Sequence, residues 1–259
     1  MFFRFSFLQL SWKGIDLENA RADLRNNALI QSITITENNK NTSLREKVVT
    51  EWNQILRDKW YSQEEPDELV VSFVTLLKEK NKKARVLDLG CGAGRNLICM
   101  ASQRFEAHGL EISDTGITFS KERLKKRNLK AYVVKSDMHL LPFISSCFDA
   151  VICLFTIYHQ KLKGIQETIS EIHRVLRKGG ILLTNFHSKR SGMYGKGVKA
   201  EKDTFTRQNG PEKGVAHHFT DKEEIMKLLK GFKNISIELR ERKSANGYLQ
   251  SCLIVTATV

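Results

Sequence analysis

The sequence predicts an α/β protein: a mostly parallel sheet covered by helices on both faces. Three observations carry this. From residue 84 onward, short apolar β-branched runs alternate with longer amphipathic segments. A glycine-rich turn joins the first such run to the helix-like segment after it. Near the C-terminus the alternation stops, and two strand-like runs follow each other with no helical pattern between them.

Residues 1–40 show no clean period and read as an N-terminal extension of unassigned role, with the Asn-rich Glu37–Thr42 as a linker. Residues 41–83 read as a helical cap of two helices, Leu44–Trp60 and Asp67–Lys80. The main domain, 84–259, opens with strand Arg85–Leu89 and helix Arg95–Gln103, whose apolar residues recur at helical spacing. Strand Ala107–Glu111, helix Thr115–Arg127 with its charged face, and strands Ala131–Lys135 and Ala150–Leu154 continue the pattern. Helix Ile165–Leu176 ends at Arg177-Lys178-Gly179-Gly180, a stop followed by a turn into strand Ile181–Phe186. The Gly- and Lys-rich Ser188–Gly214 has no period; within it Ser191–Pro211 is long for a structureless connection, and such loops are often lids or recognition elements. Helix Asp221–Leu229 and strands Asn234–Arg240 and Leu249–Thr258 finish the chain, the last strand antiparallel to its neighbour.

The 259 residues carry 42 Lys+Arg against 29 Asp+Glu, a net charge of +13, with 41% hydrophobic residues. This composition excludes a wholly disordered or collagen-like chain. No apolar run approaches the roughly 20 residues needed to cross a bilayer. The apolar start Met1–Leu8 is interrupted by Arg4 and lacks a clear cleavage site, so it does not read as a secretory leader. Five cysteines without a C-x-x-C pair, mostly inside apolar runs, read as reduced core residues of a cytoplasmic protein. The positive excess keeps RNA open as a partner. The cluster Lys121, Arg123, Lys125, Lys126, Arg127 and Lys130 reads first as an exposed helix face, without the interleaved aromatics of a single-strand platform.

The sharpest signal is Val86-Leu87-Asp88-Leu89-Gly90-Cys91-Gly92-Ala93-Gly94-Arg95-Asn96, a strand running through a glycine turn into a helix. Glycines there permit a tight turn and let a ligand approach main-chain N–H groups. A dinucleotide fingerprint would require glycine where Arg95 stands, which argues against a nicotinamide cofactor. Glu111, at the tip of the second strand, is placed to accept the hydroxyls of a ribose. Ser136-Asp137-Met138 stands at the tip of the third strand, on the same sheet edge.

With these residues together, the chain resembles the class I S-adenosylmethionine-dependent methyltransferases, in particular their type 11/type 25 methyltransferase-domain group, over roughly residues 44–259. Val86–Asn96 resembles the family's first motif; Glu111, Ser136-Asp137-Met138, Leu141–Ile152 and Glu171–Gly180 match later ones. The resemblance implies a Rossmann-like seven-stranded sheet of order 3-2-1-4-5-7-6 with strand 7 antiparallel. It implies S-adenosyl-L-methionine as cofactor, leaving as S-adenosyl-L-homocysteine. It also implies residue roles. Gly90, Cys91, Gly92 and the adjoining Arg95 and Asn96 would hold the amino-acid end of the cofactor, with Asp88 serving its amino group directly or through a water. Glu111 would bind the ribose and Ile112 would pack on adenine, while Asp137 and the Met138 N–H would bind the adenine edge and Leu154 would face the methionyl part. Plainer roles stand beside several of these: Asp88 as a cap of the turn, Glu111 as a solvated strand end, Met138 as core, Arg95 as a structural contact.

Methyl transfer from a sulfonium is an in-line displacement by an already activated donor, so alignment and water exclusion carry most of the catalysis. A general base is needed only for a nucleophile that starts protonated. After the fourth strand stands Phe155-Thr156-Ile157-Tyr158-His159-Gln160, without the proline motifs of DNA methyltransferases, and Cys153 reads as core. Tyr158 and His159 are the candidate catalytic residues, His159 because its ordinary pKa suits proton transfer; a helix-entry histidine bonded to backbone is the alternative. Trp60, Tyr61, His187 and His218 are candidate substrate contacts, with ordinary packing as the alternative for the first two. Adjacent strand residues point to opposite sides, so of His217 and His218 only one faces the site. His108, His139 and His173 have no partner spacing that suggests a ligand set, and His217 and His218 are not expected to share one metal, so no catalytic metal and no sensitivity to chelation are expected. The resulting expectation is methyl transfer to an O or N nucleophile of a small molecule. An RNA or protein methyltransferase docking through basic faces, and a cofactor-binding regulator without turnover, are the alternatives. Oligomeric state has no signature in the sequence.

Overall fold

The computed structural model describes residues 39–243 and 247–259. Helices α1 (Asn39–Ile55) and α2 (Glu68–Lys80) precede the sheet. Asp67 caps α2, its carboxylate accepting from Leu69 N at 2.9 Å. The helix expected to start at Leu44 begins at Asn39, so the Asn-rich stretch taken as a linker is helical from Asn39 on. The extension 1–38 lies outside the described residues.

Five parallel strands then form in the expected order: β1 (Arg85–Leu89), β2 (Glu106–Glu111), β3 (Tyr132–Lys135), β4 (Phe148–Cys153) and β5 (Leu176–Ser188), with α3 (Arg95–Ser102), α4 (Asp114–Lys126) and α5 (Leu162–Val175) between them. The Arg177–Gly180 turn is instead the irregular start of β5: Leu176 pairs with Phe148, and the register shifts before Ile181 pairs with Ala150. Gly179, at φ +77°, supplies a left-handed conformation there.

Next come β6 (Val198–Glu201), β7 (Thr204–Thr206), β8 (Ala216–Thr220), α6 (Lys222–Leu228), β9 (Lys233–Lys243) and β10 (Leu249–Thr258). β10 lies antiparallel between β5 and β9. The main sheet therefore reads β3-β2-β1-β4-β5-β10-β9, the seven-stranded order expected, with its last chain segment reversed.

The stretch 188–214, which has no period in the sequence, is built largely of paired strands. β6 and β7 form a hairpin, β7 pairs with β8, and β8 runs beside the end of β5 through His187↔Phe219 and Ser188↔Thr220. Lys189 bridges Asp203 and Asp221 at 2.9 and 2.7 Å, and the Tyr194 hydroxyl donates to Asp203, tying this ribbon to the start of α6.

Two cores flank the sheet. One is filled by Leu87, Leu89, Phe143, Phe148, Phe186 and Val255 under Ile165, Ile169 and Ile172 of α5 and Ile225 of α6. The other sets Val86, Ala150, Ile152, Leu183 and Ile254 against Val70 and Val74 of α2, Leu97 and Met100 of α3 and Leu124 of α4. Alternation along each strand sends successive apolar residues to the two cores. The C-terminal ends of β1, β2, β3 and β4 are left to meet at one edge. Among the described residues, no helix is long and apolar enough to cross a membrane.

Candidate functional site

The turn after β1 is held open by three left-handed glycines, Gly90, Gly92 and Gly94, at φ +73°, +52° and +83°. A Cβ on Gly90 would stand 2.3 Å from Thr156 Cγ2, so the turn and the loop after β4 touch only because glycine is there. Gly90 N and Cys91 N donate to Leu110 O, and Ser120 Oγ of α4 donates to Gly92 O at 2.8 Å.

Glu111 is buried at the tip of β2, and its carboxylate accepts from Gly92 N, Ile112 N and Ser113 N, each at 2.8 Å. Burial pushes its pKa up against these hydrogen bonds. The acid expected at the ribose position thus also fastens the glycine turn to the second strand.

Asp88 lies beneath the turn, fully buried, and its Oδ2 has no hydrogen-bond partner among the described residues. Burial raises its pKa to about 7, opposed by the nearby charge of Arg95. A buried carboxylate oxygen with nothing to accept is costly. A cationic group arriving on the turn above it would offset that cost.

Arg95 and Asn96 point toward the segment between α1 and α2. Arg95 Nη1 donates to Gln63 Oε1 at 3.4 Å and Nη2 lies 3.8 Å from Asp67 Oδ2, while Asn96 Oδ1 accepts from Asp67 N. Arg123 completes this fastening by donating to the carbonyls of Ser62, Gln63 and Ala93. Arg127 pairs with Glu64 at 2.7 Å. The α4 cluster expected to be a solvated face therefore spends two of its cations holding the cap.

These groups surround a cavity of about 1440 Å³. Gly90, Cys91, Gly92, Arg95, Asn96, Glu111, Ile112, Asp137, Met138 and Leu154 line one part of it; Trp60, Tyr61, Tyr158, His159 and His187 line another. The structure therefore brings nearly all the expected site residues to one hollow, with Asp88 just behind its wall. Asp137 accepts from His139 N at 3.0 Å and contacts its ring, and His139 Nε2 meets Gln160 Oε1 at 2.6 Å. Burial alone would lower the His139 pKa, but Asp137 outweighs it and holds the ring above its ordinary value.

Phe155, just past β4, sits at φ +55° with its N–H donating to Asn185 Oδ1 at 2.7 Å. A non-glycine residue is held left-handed here only because β5 supplies a buried side-chain acceptor. Tyr158 is buried against His187, ring centroids 3.9 Å apart, and burial keeps its hydroxyl protonated. His159 packs on Trp52 of α1; burial pulls its pKa down to about 4, and its Nδ1 has no partner among the described residues. Trp60 is 66% exposed at the cavity rim.

One expected contact is corrected. His218 faces away from the cavity: its Nδ1 meets Thr204 Oγ1 at 2.8 Å and its Nε2 meets Glu224 of α6 at 3.0 Å. His217 points to the other side and meets Glu212 Oε2 at 3.0 Å. Sequence reasoning missed Glu212 itself. This carboxylate, in the loop between β7 and β8, also stands 3.5 Å from His159 Nε2 and 3.4 Å from Arg207 Nη2. Burial pushes its pKa up, but the two histidines outweigh it and hold it below the ordinary range. The Tyr61 hydroxyl, raised by burial, is also hydrogen-bonded to Glu212.

Residues 86–180 match the model of the methyltransferase-domain family. A putative methyltransferase of Bacillus subtilis, YqeM, is 33% identical over 109 residues, 41% of this chain and 44% of that protein. The 27-O-demethylrifamycin SV methyltransferase of Amycolatopsis mediterranei is 31% identical over 107 residues, 38% of this chain and 36% of that protein. The chain spans about half or less of the length of such curated relatives. Among solved structures, an S-adenosylmethionine-dependent methyltransferase from Methanosarcina mazei superposes with TM-score 0.61 at 22% identity, covering 71% of this chain and 96% of that one. The 1,6-didemethyltoxoflavin-N1-methyltransferase of Burkholderia thailandensis superposes with TM-score 0.60 at 15% identity over 88% of this chain and 93% of its own. Likeness at these identities speaks to fold alone.

Proposed function

We propose that the chain, whose residues 86–180 match the methyltransferase-domain model and whose fold is that of S-adenosylmethionine-dependent methyltransferases, transfers a methyl group from S-adenosylmethionine, in line, to an O or N nucleophile of a small molecule. The observation that carries this is the pairing, in one cavity, of an acid-and-glycine cradle with a separate wall of imidazole, phenol and carboxylate groups. A hollow of about 1440 Å³ exceeds the upper end of single-ligand sites, roughly 1000 Å³. It has room for a donor and an acceptor together.

The residues present fit the donor. Asp88 offers a buried, unsatisfied carboxylate oxygen near where a cationic amino group would rest. Glu111 Oε2 accepts one N–H, leaving a lone pair for a ribose hydroxyl. Ile112 and Met138 offer apolar surface for a purine. The sulfonium donor supplies the activated methyl group. The chain's own work is to hold it on the glycine turn, exclude water under Trp52 and Leu56, and place the acceptor against Tyr158 and His159.

The small-molecule part is supported by a recessed wall in which Tyr158 is buried and His159 and His187 are half-buried. Calorimetric titration with S-adenosylhomocysteine tests the cradle. Micromolar binding to the wild-type chain is expected, weakened by about 1–3 kcal/mol in Glu111→Ala, where a charge-assisted acceptor is lost. No binding by the folded wild-type chain overturns the proposal.

A further inference from the structure

Three donor groups from three segments converge on the acceptor side of the cavity: His159 after β4, Glu212 in the β7–β8 loop and His217 in β8. Their ligand atoms all lie within 4.8 Å of one another, with His159 Nε2 3.5 Å and His217 Nε2 3.0 Å from the Glu212 oxygens. Ligands about 2.1 Å from a tetrahedral ion stand about 3.4 Å apart. Two of the spacings already lie near that value, and an inward movement of the two imidazoles closes the third.

The surroundings of His217 fit that reading. Its Nδ1 lies 3.1 Å from Val215 O and its Nε2 lies 3.0 Å from Glu212 Oε2. With the ring N–H at Nδ1 toward the carbonyl, the Nε2 lone pair and the carboxylate point at one another, as two ligands of one ion do. His217 is 2% exposed, so water does not separate them.

We propose that His159, Glu212 and His217 bind one divalent first-row transition ion of the zinc, iron or manganese kind, with an open position toward the cavity that takes the acceptor. Two imidazoles and one carboxylate suit these borderline ions better than magnesium or calcium, which take oxygen sets. The backbone carbonyl of Val215 acts as the outer partner that fixes the His217 ring. His159 and Glu212 line the cavity, so the open position faces it.

Charge then narrows the acceptor class. Arg207 already balances Glu212, so the ion brings an excess of two positive charges to a buried wall. An acceptor that binds as an oxyanion, or as another deprotonated heteroatom, offsets half of that excess. In such a step the acceptor O–H loses its proton to solvent on binding the ion. The O–CH3 bond then forms as the S–CH3 bond breaks, and that electron pair stays on sulfur. This use of the ion rests on the methyl-transfer proposal; the ion site itself does not.

The test strips the full chain with a chelator and titrates it with zinc sulfate, and in parallel with cobalt chloride followed by visible absorption. One equivalent of zinc should bind, and cobalt should develop the intense bands of a low-coordinate site. Glu212→Gln, nearly isosteric, should weaken binding by about tenfold to hundredfold, and His217→Ala by about a hundredfold or more. S-adenosylhomocysteine should bind all three proteins alike, which verifies their folding and reports separately on the donor site. Wild-type chain that binds S-adenosylhomocysteine but no ion overturns the proposal, as does equal ion binding by the variants. Nitrogen NMR showing His217 doubly protonated and unmoved by zinc overturns it as well.

Discussion

At the residue scale, the donor side is controlled by two buried acids with different partners. Glu111 is satisfied by three N–H groups, whereas Asp88 keeps one oxygen unsatisfied and its pKa is raised to about 7. The sign follows from linkage: a group that binds its proton more tightly when folded contributes stability below its ordinary value of 3.8, and that contribution is lost as pH rises through about 7. Binding of a cationic amino group favours the ionised form, so affinity for S-adenosylhomocysteine should fall as pH drops below about 7, by up to roughly tenfold per unit. In Asp88→Asn the affinity should be weaker and flat with pH. A flat profile in the wild-type chain would reject the role given to Asp88. Asp88 and the glycines were legible in the sequence as a strand running through a glycine turn into a helix, and Glu111 as an acid at the tip of the next parallel strand. Glu212 was not, since a glutamate in a Gly- and Lys-rich stretch acquires meaning only when the β7–β8 loop carries it beside His159. The choice of His218 over His217 failed for a related reason: alternation says that one faces inward, but only pairing with β7 tells which.

At the element scale, the β1–β5 core was readable from periodicity, because each strand buried between two helix layers is a continuous apolar run. Pairs such as Val86–Ala107 and Leu87–Val151 confirm the registers that pattern requires. The ribbon β6–β7 was not readable, since its strands have only four and three residues and Val198, Lys199 and Ala200 are exposed. The α1–α2 connection depends on a tertiary fastening. Arg123 of α4 holds three carbonyls that would otherwise need water. Arg123→Ala should lower stability in urea by about 1–3 kcal/mol. It should also weaken S-adenosylhomocysteine binding, because segment 63–69 lines the cavity. Lower stability with unchanged affinity would make the fastening structural only.

At the scale of the whole molecule, several of the 42 basic residues are paired with acids, while the net charge stays +13. Arg127 pairs with Glu64, Lys135 with Asp114, Lys189 with Asp203 and Asp221, and Arg190 with Glu241. The small-molecule reading predicts that binding of an RNA oligonucleotide is weak and varies little with salt, measured by fluorescence anisotropy across a salt series. Tight binding with a steep log–log slope would instead support a nucleic-acid acceptor. The outermost strand of the main sheet, β9, has a further consequence. Among the described residues it pairs only with β10, leaving the outward-facing backbone donors and acceptors of alternate residues along this eleven-residue strand open to a strand from another chain. Such an edge invites stacking into fibres. Here it carries Lys233, Glu238, Arg240, Glu241, Arg242 and Lys243, and charged side chains along an edge strand disfavour such pairing. The same strand that completes the sheet thus keeps it from growing.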